Sequence, residues 1–301
     1  MSLAPRVVLV HRRTPYADAL ARHGTRGQAE FFLRTRGRDL TDLEAADERQ
    51  ADVLARIAAA VPLDWRSGRV ERADLPRFLF APEDVVVVAG QDGLVANVAK
   101  HLQGQVVVGI DADPGHNPGV LVPHPVDRIA DLLRRSVSDP ACEQRAMVRA
   151  VTDDGQELHA LNEVYVGHRS HQTSRYLLST PDGRREEQAS SGVVVGTGTG
   201  ASGWLASLAR QRGGDVALPG ASDPRLAWFV REAWPSPTTG ADVTAGLLDA
   251  GGDDDGGDLV LDVLSDELVV FGDGLEEDRL LLTRGQRLHV GLSPRRLRLL
   301  R

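Results

Sequence analysis

The sequence predicts an α/β domain built on a parallel sheet, followed by a mostly antiparallel β domain. Three observations point there. Val85-Val86-Val87-Val88-Ala89 is the kind of run buried on both faces inside a parallel sheet. Strand-like and helix-like stretches alternate up to Arg135, the order that gives a parallel sheet covered by helices. After Ser136-Val137-Ser138-Asp139-Pro140 the pattern changes to short strands separated by hairpin signals. The expected domains are therefore 1–138 and 139–301, with the C-terminal tail free to return to the first.

In chain order, Val7 to Val10 reads as a buried strand that ends in the polar His11-Arg12-Arg13-Thr14. Thr41-Asp42-Leu43-Glu44 reads as a capping box, Thr41 capping and Glu44 reaching back, and opens a helix that Pro62 ends. Between Leu63 and Phe80 one strand near Trp65 or Val70 and a short helix after Ala73 are expected. The valine run breaks at Gly90, and a helix is expected from Val95 to Leu102, leaving a tight Gly90-Gln91-Asp92-Gly93-Leu94 turn. Val106 to Ile110 reads as another buried strand, and Val126 to Arg135 as a helix.

In the second half, strands are expected over Gln144–Thr152, Glu157–Gly167, Ser174–Thr180 and Val193–Val195. Others are expected near Leu226–Val230, Leu259–Leu264, Leu268–Phe271, Leu280–Leu282 and Leu288–Val290. Asp153-Asp154-Gly155, Pro181-Asp182-Gly183 and Asp273-Gly274 are the hairpin turns, and one helix runs from about Ala201 to Arg212.

Composition narrows the class. A hydrophobic fraction of 42% with 26% charged residues is that of a soluble globular chain. A formal charge of −8 argues against a broad nucleic-acid or anionic-membrane surface while permitting a local phosphate pocket. Cys142 is the single cysteine, so no intramolecular disulfide forms and a reducing cytoplasm is expected. No apolar run approaches the roughly 20 residues that span a bilayer, and the N-terminus passes straight into strand-like sequence, unlike a signal peptide.

Three motifs could carry chemistry. The Gly90–Leu94 turn stands at the carboxyl end of a strand, where open α/β sheets place their ligands, although it also suits an ordinary strand–turn–helix joint. Asn162 and Glu163 interrupt an apolar strand, where alternation would put them on opposite faces. Together they offer donors and acceptors that suit ribose hydroxyls; an exposed strand end is the plainer explanation. The third motif runs from Ser190-Ser191-Gly192 through Val193-Val194-Val195 and Gly196-Thr197-Gly198-Thr199-Gly200-Ala201-Ser202-Gly203 to Trp204, a glycine-rich loop between strand and helix, where backbone can approach a ligand closely. Its Gly198, Gly200 and Gly203 match G-x-G-x-x-G, but no following parallel strand supports a dehydrogenase fingerprint. The acidic Gly251–Asp258 stretch lacks the ligand alternation of an EF-hand and reads as a solvated turn. His168 and His171 read as loop residues, since no third metal ligand is evident.

The order of these motifs resembles that of the NAD kinases, most closely the mitochondrial-type branch. That family's pattern is a Gly-Gly-Asp-Gly-Thr turn, an Asn-Glu pair, a Thr/Gly-rich loop entering a helix and a late Asp-Gly turn. Here the matching stretches are Gly90–Leu94, Asn162-Glu163, Thr197–Gly200 and Asp273-Gly274. Gly109-Ile110-Asp111-Ala112-Asp113-Pro114, Ala160–Val164 and Ser190-Ser191-Gly192 give the mitochondrial-type flavour. The resemblance implies a NAD kinase-like two-domain architecture with catalysis between the domains, and ATP-dependent phosphorylation of the adenosine-ribose 2′-hydroxyl of NAD. It makes Asp92 the general base. It sets Gly90 and Gly93 against ATP phosphates, and Asn162, Glu163, Thr197, Thr199 and Ser202 around the dinucleotide. Magnesium would arrive with ATP, and a homo-oligomer, at least a dimer, is expected. Gln91 and Leu94 depart from the family's glycine and threonine. That keeps two alternatives open: a kinase of another acceptor, or a non-catalytic dinucleotide-binding protein of the same fold. Lipid kinases share the Gly-Gly-Asp-Gly turn, but the Asn–Glu pair argues against a lipid acceptor.

Overall fold

A computed structural model describes residues 4–115, 119–138, 141–170, 172–214, 216–249 and 257–301. The chain forms two compact units, Met1–Glu143 with Arg298–Arg301, and Gln144–Leu297. The elements in the first part of the chain are β1 (Arg6–His11), α1 (Pro15–His23), α2 (Arg26–Arg34), α3 (Leu40–Ala60) and β2 (Arg66–Glu71). They continue with β3 (Asp84–Gly90), α4 (Asp92–Ala99), β4 (Val106–Asp111), α5 (Ile129–Ser138) and β5 (Cys142–Arg145). Next come β6 (Val148–Thr152), β7 (Glu157–Ala160), β8 (Glu163–Gly167), β9 (Ser174–Ser179), β10 (Arg185–Ser190) and β11 (Val193–Thr197). The chain closes with α6 (Trp204–Gln211), β12 (Arg225–Val230), β13 (Ala245–Asp249), β14 (Leu259–Val263), β15 (Glu267–Gly272), β16 (Leu275–Thr283), β17 (Arg287–Leu292) and β18 (Leu297–Leu300).

The first unit is a sheet in the order β2-β1-β3-β4-β18-β5, and β2, β1, β3, β4 and β18 pair in parallel. Val7, Leu9, Val85, Val87, Val106 and Val108 meet α3 and α5 on one face. The alternate residues Val8, Val10, Val86, Val88 and Val107 are also fully buried. This double burial explains why the strands read as unbroken valine runs rather than as alternation. The strand order reverses direction at β1, whose neighbours β2 and β3 lie on opposite sides. The crevice at the carboxyl ends of β1 and β3 is thus a topological switch point, the usual ligand position in such sheets.

The second unit holds two six-stranded antiparallel sheets, ordered β10-β9-β14-β17-β6-β7 and β13-β12-β11-β8-β15-β16. Tyr176, Leu261 and Val290 of one sheet share a core with Val164, Val195 and Trp228 of the other. The opposite face of the second sheet is covered by α6, whose Leu205, Leu208 and Ala209 pack with Val194 and Phe229.

Several boundaries differ from the sequence expectation. The α3 cap is Asp39, whose carboxylate accepts the Thr41 N–H at 2.9 Å; Thr41 does not cap, and Glu44 pairs with Arg26 at 2.6 Å. The helix starts early because Leu40 is buried in a small cluster with Ala29 and Leu33. Helices α1 and α2 escaped the periodicity argument because α1 buries no residue and α2 only two, Ala29 and Leu33. Helix α5 runs to Ser138, through the expected break. Residues 250–256 of the acidic glycine-rich stretch, and His171, lie outside the described residues. No helix among the described residues is long and apolar enough to cross a membrane.

One buried charge anchors the entry of β3. The Asp84 side chain is fully buried and takes both Arg6 Nε (2.7 Å) and Nη2 (2.6 Å), along with the Ala81 N–H at 2.7 Å. Truncating Arg6 leaves a buried carboxylate without its counter-charge. Arg6→Ala is expected to lower unfolding stability by about 2–3 kcal/mol, the lower range for such a break because Arg6 is partly solvated. Urea denaturation of the two proteins checks it.

Candidate functional site

In the first unit, the expected turn shrinks to one residue. Gln91 is the N-cap of α4 and makes no side-chain cap bond, so the helix begins at Asp92 rather than at Val95. The Asp92 carboxylate accepts three backbone N–H bonds, from Val120 at 3.0 Å, Leu121 at 2.7 Å and Val122 at 3.2 Å. A carboxylate has about four lone-pair positions, so most of its accepting capacity is committed to this loop. The loop is also pressed against β4. A Cβ on Gly109 would stand 2.0 Å from the Leu121 carbonyl oxygen, so only glycine fits there. Leu94 is buried over Gly90, with its Cδ2 3.1 Å from where a Gly90 Cβ would be. Gly93 is exposed, with no atom within 4 Å of its absent side chain, and Gln91 is exposed beside it.

In the second unit, Asn162 and Glu163 do not interrupt a strand. The expected Glu157–Gly167 strand is two strands, β7 and β8, in different sheets, and Leu161-Asn162 is where the chain crosses between them. Asp273 holds that crossing. It sits at φ 54° with Gly274 at φ 69° in the two-residue β15–β16 turn, the left-handed pair that favours Asp-Gly. Its carboxylate accepts the Leu161 N–H at 2.9 Å and the Asn162 N–H at 2.7 Å, and its own N–H reaches the Glu163 carbonyl at 3.0 Å. From the other side, Thr197 donates its N–H to the Asn162 carbonyl (2.9 Å) and its hydroxyl to the Leu161 carbonyl (2.6 Å). Side chains at Gly196 or Gly200 would stand 2.8 and 2.6 Å from the Asn162 carbonyl oxygen.

With the backbone so fixed, the Asn162 amide and the Glu163 carboxylate have no hydrogen-bond partner among the described residues. Burial first, then the Asp273 charge, push the Glu163 carboxyl up to about 7. The other expected contacts are placed differently. Thr197 is fully buried, and its hydroxyl also accepts the N–H groups of Thr199 (3.1 Å) and Gly200 (3.4 Å). Thr199 is half-buried and accepts from Arg145 at 3.4 Å, while Ser202 is exposed before α6. Gly198 is needed for packing, since a Cβ there would lie 1.8 Å from the Gly220 oxygen. The glycine spacing thus serves loop packing within an antiparallel sheet. Sequence reasoning placed Asp273 in a hairpin turn and in the family-like motif order but not among the candidate site residues; its hold on the Leu161-Asn162 crossing was not foreseen. The His168 ring accepts the Ser170 N–H at 3.1 Å within its own loop. Among the described residues, no three His, Cys, Asp or Glu side chains gather as metal ligands.

The fold is NAD kinase-like: a mostly parallel mixed sheet with helices, followed by two antiparallel sheets. The crystal structure of yeast NADH kinase complexed with NADH is similar to this chain, with a TM-score of 0.63. The match covers 99% of this chain and 83% of that one at 12% identity, which makes it a likeness of fold. No protein-family model and no curated protein matches the sequence.

The Glu163 shift sets a pH dependence. Its folded carboxyl holds a proton up to about pH 7, whereas the unfolded one releases it near 4.5. The unfolded state is therefore favoured as pH rises through that window, and stability falls. The loss is on the order of 3 kcal/mol at most between pH 4.5 and 7. Glu163→Gln is expected to remove that part of the slope, measured as the difference between the two proteins in urea melts at pH 5 and pH 8.

Proposed function

We propose that the protein binds NAD through Asn162 and Glu163 and phosphorylates its adenosine-ribose 2′-hydroxyl with ATP. The observation that carries this reading is the pair itself. Two polar side chains without hydrogen-bond partners among the described residues project from a backbone fixed by Asp273 and Thr197. A partly desolvated carboxylate beside an amide suits vicinal hydroxyls, because it accepts while the amide both donates and accepts. The NADH held by the fold neighbour supports a dinucleotide as the ligand.

In the reaction, the 2′-oxygen attacks the terminal phosphorus, the bond to the β-phosphate oxygen breaks, and ADP leaves. The 2′-hydroxyl proton passes to the remaining acceptor position of Asp92. Magnesium brought by ATP would supply charge compensation at the leaving diphosphate. Exposed Gly93 leaves the front of the α4 amino end open to phosphate. Gln91 and Leu94 remove a glycine and a hydroxyl from the family-like turn, so slow turnover is part of the proposal.

A second reading, dinucleotide binding without catalysis, is favoured by one fact: Asp92 is already engaged by three backbone amides. The two readings separate on NADP formed from NAD, ATP and magnesium, assayed enzymatically. If Asp92 is the base, Asp92→Asn lowers turnover by about 10²–10⁴ with NAD affinity nearly unchanged. Native turnover in a variant that melts normally removes the base assignment, and no NADP from the wild type leaves the second reading. Asn162→Ala is expected to weaken NAD by about 1–3 kcal/mol in calorimetric titration. An unchanged affinity takes Asn162 out of the site.

A further inference from the structure

The stretch that engages Asp92, residues 120–122, is itself held from behind. Arg301, which follows β18, donates from Nη1 to the Val120 carbonyl at 3.1 Å. Its Nε donates to the Glu143 carboxylate at 2.6 Å, and its own carbonyl accepts from the Arg135 guanidinium. Glu143 thus aims the side chain while Arg135 fixes the backbone it hangs from. One residue earlier, the Leu300 carbonyl meets Nε2 of the buried His124 ring at 3.1 Å. Residues 120–124 are therefore tied to β18 and the residue after it at two points.

The Val120 carbonyl and the Leu121 N–H belong to one peptide unit. That N–H makes the shortest of the three bonds to Asp92, 2.7 Å to Oδ1, against 3.0 Å from Val120 and 3.2 Å from Val122. Arg301, this peptide and Asp92 consequently form a single hydrogen-bonded chain with a cation at one end and a carboxylate at the other. Bonds to ionised groups are the stronger kind, and successive bonds in a chain polarise one another. The guanidinium drawing on the carbonyl makes the N–H on the other side a better donor. Gly109 leaves room for the loop against β4, and Arg301 fixes the angle of its central peptide.

We infer that Arg301 is a positioning residue for phosphoryl transfer: through the Val120–Leu121 peptide it holds the Asp92 carboxylate with its remaining acceptor position turned to the 2′-hydroxyl. The inference rests on the kinase reading for what Asp92 does, but the hold itself is measurable without substrates. Arg301 touches no reacting group. Its side chain is 37% exposed, so water screens the chain and the expected effect is about ten-fold, below the larger losses that misplacement of a reacting group can bring.

Arg301→Met keeps the apolar stem and removes the charged donors. On the full chain, kcat for NADP formation is expected to fall about ten-fold, with KM for NAD and for ATP within about two-fold of wild type. Arg301→Lys, which restores a charged donor, is expected to recover kcat to within about three-fold. In an Asp92→Asn background, Arg301→Met is expected to cost less than about two-fold, because its effect passes through Asp92. Without substrates, amide exchange at Leu121 followed by NMR is expected to quicken about ten-fold in Arg301→Met. A kcat within about two-fold of wild type in that variant overturns the inference and leaves the kinase reading intact. So does a loss of about ten-fold that persists undiminished in the Asp92→Asn background, the mark of a general loosening of the fold. Native turnover in Asp92→Asn overturns it as well, because Asp92 is then not the base that Arg301 would position. Unchanged exchange at Leu121 overturns the hold whatever the turnover. No NADP from the wild type, with Leu121 exchange still governed by Arg301, removes the kinase reading and the catalytic role with it, and keeps the hold on Asp92.

Discussion

The Asp273 carboxylate, bonded to the amides of Leu161 and Asn162, is the interaction on which the second unit turns. The chain leaves one antiparallel sheet and enters the other at those two residues, so their N–H groups have no ladder partner. Unpaired buried amides would cost several kcal/mol, whereas bonds to a charged acceptor contribute about 1.5–3 kcal/mol each. Burial raises the proton affinity of Glu163, and the charge of the same carboxylate adds to it. One residue in a hairpin turn therefore holds the junction of the two sheets and tunes the candidate ligand group.

Asp92 does the same kind of work in the first unit. There too a carboxylate at an element boundary gathers backbone amides from a distant loop, residues 120–122. Gly109 lets that loop press onto β4, and Leu94 seals the other side of the turn over Gly90. The turn is consequently closer-packed than its glycines suggest.

What could be read in the sequence followed from burial. The valine runs of β1, β3 and β4 were legible because both faces are covered, and the Asp-Gly turns because few residues tolerate a left-handed backbone. The parallel-then-antiparallel layout came from those two signals. The split of Glu157–Gly167 was not legible. Apolar residues continue across it, and the residue that forces the crossing is 112 positions away in sequence. Asp92 stood out as a motif, yet its partners lie 28 to 30 positions on, in a loop with no pattern of its own. Asn162 and Glu163 stood out as polar residues in apolar sequence, but on the wrong geometry: they mark a crossing between sheets, not two faces of one strand.

Strand β18 lies between β4 and β5 in the first sheet, although residues 144–296 of the other unit come before it in sequence. The first sheet is therefore interrupted in sequence by the second unit, and Leu297–Leu300 fill the place between β4 and the edge strand β5. During synthesis on the ribosome, β1, β3 and β4 can assemble early, but β4 keeps an unpaired apolar edge until residue 300 has emerged. Such an edge invites pairing with other chains. The intervening segment shortens that exposure only if it collapses first, since a folded insert brings the two flanks together at less entropic cost than a loose loop. Closure of the first sheet thus waits on translation of Leu297–Leu300, whatever the stability of the sheet itself.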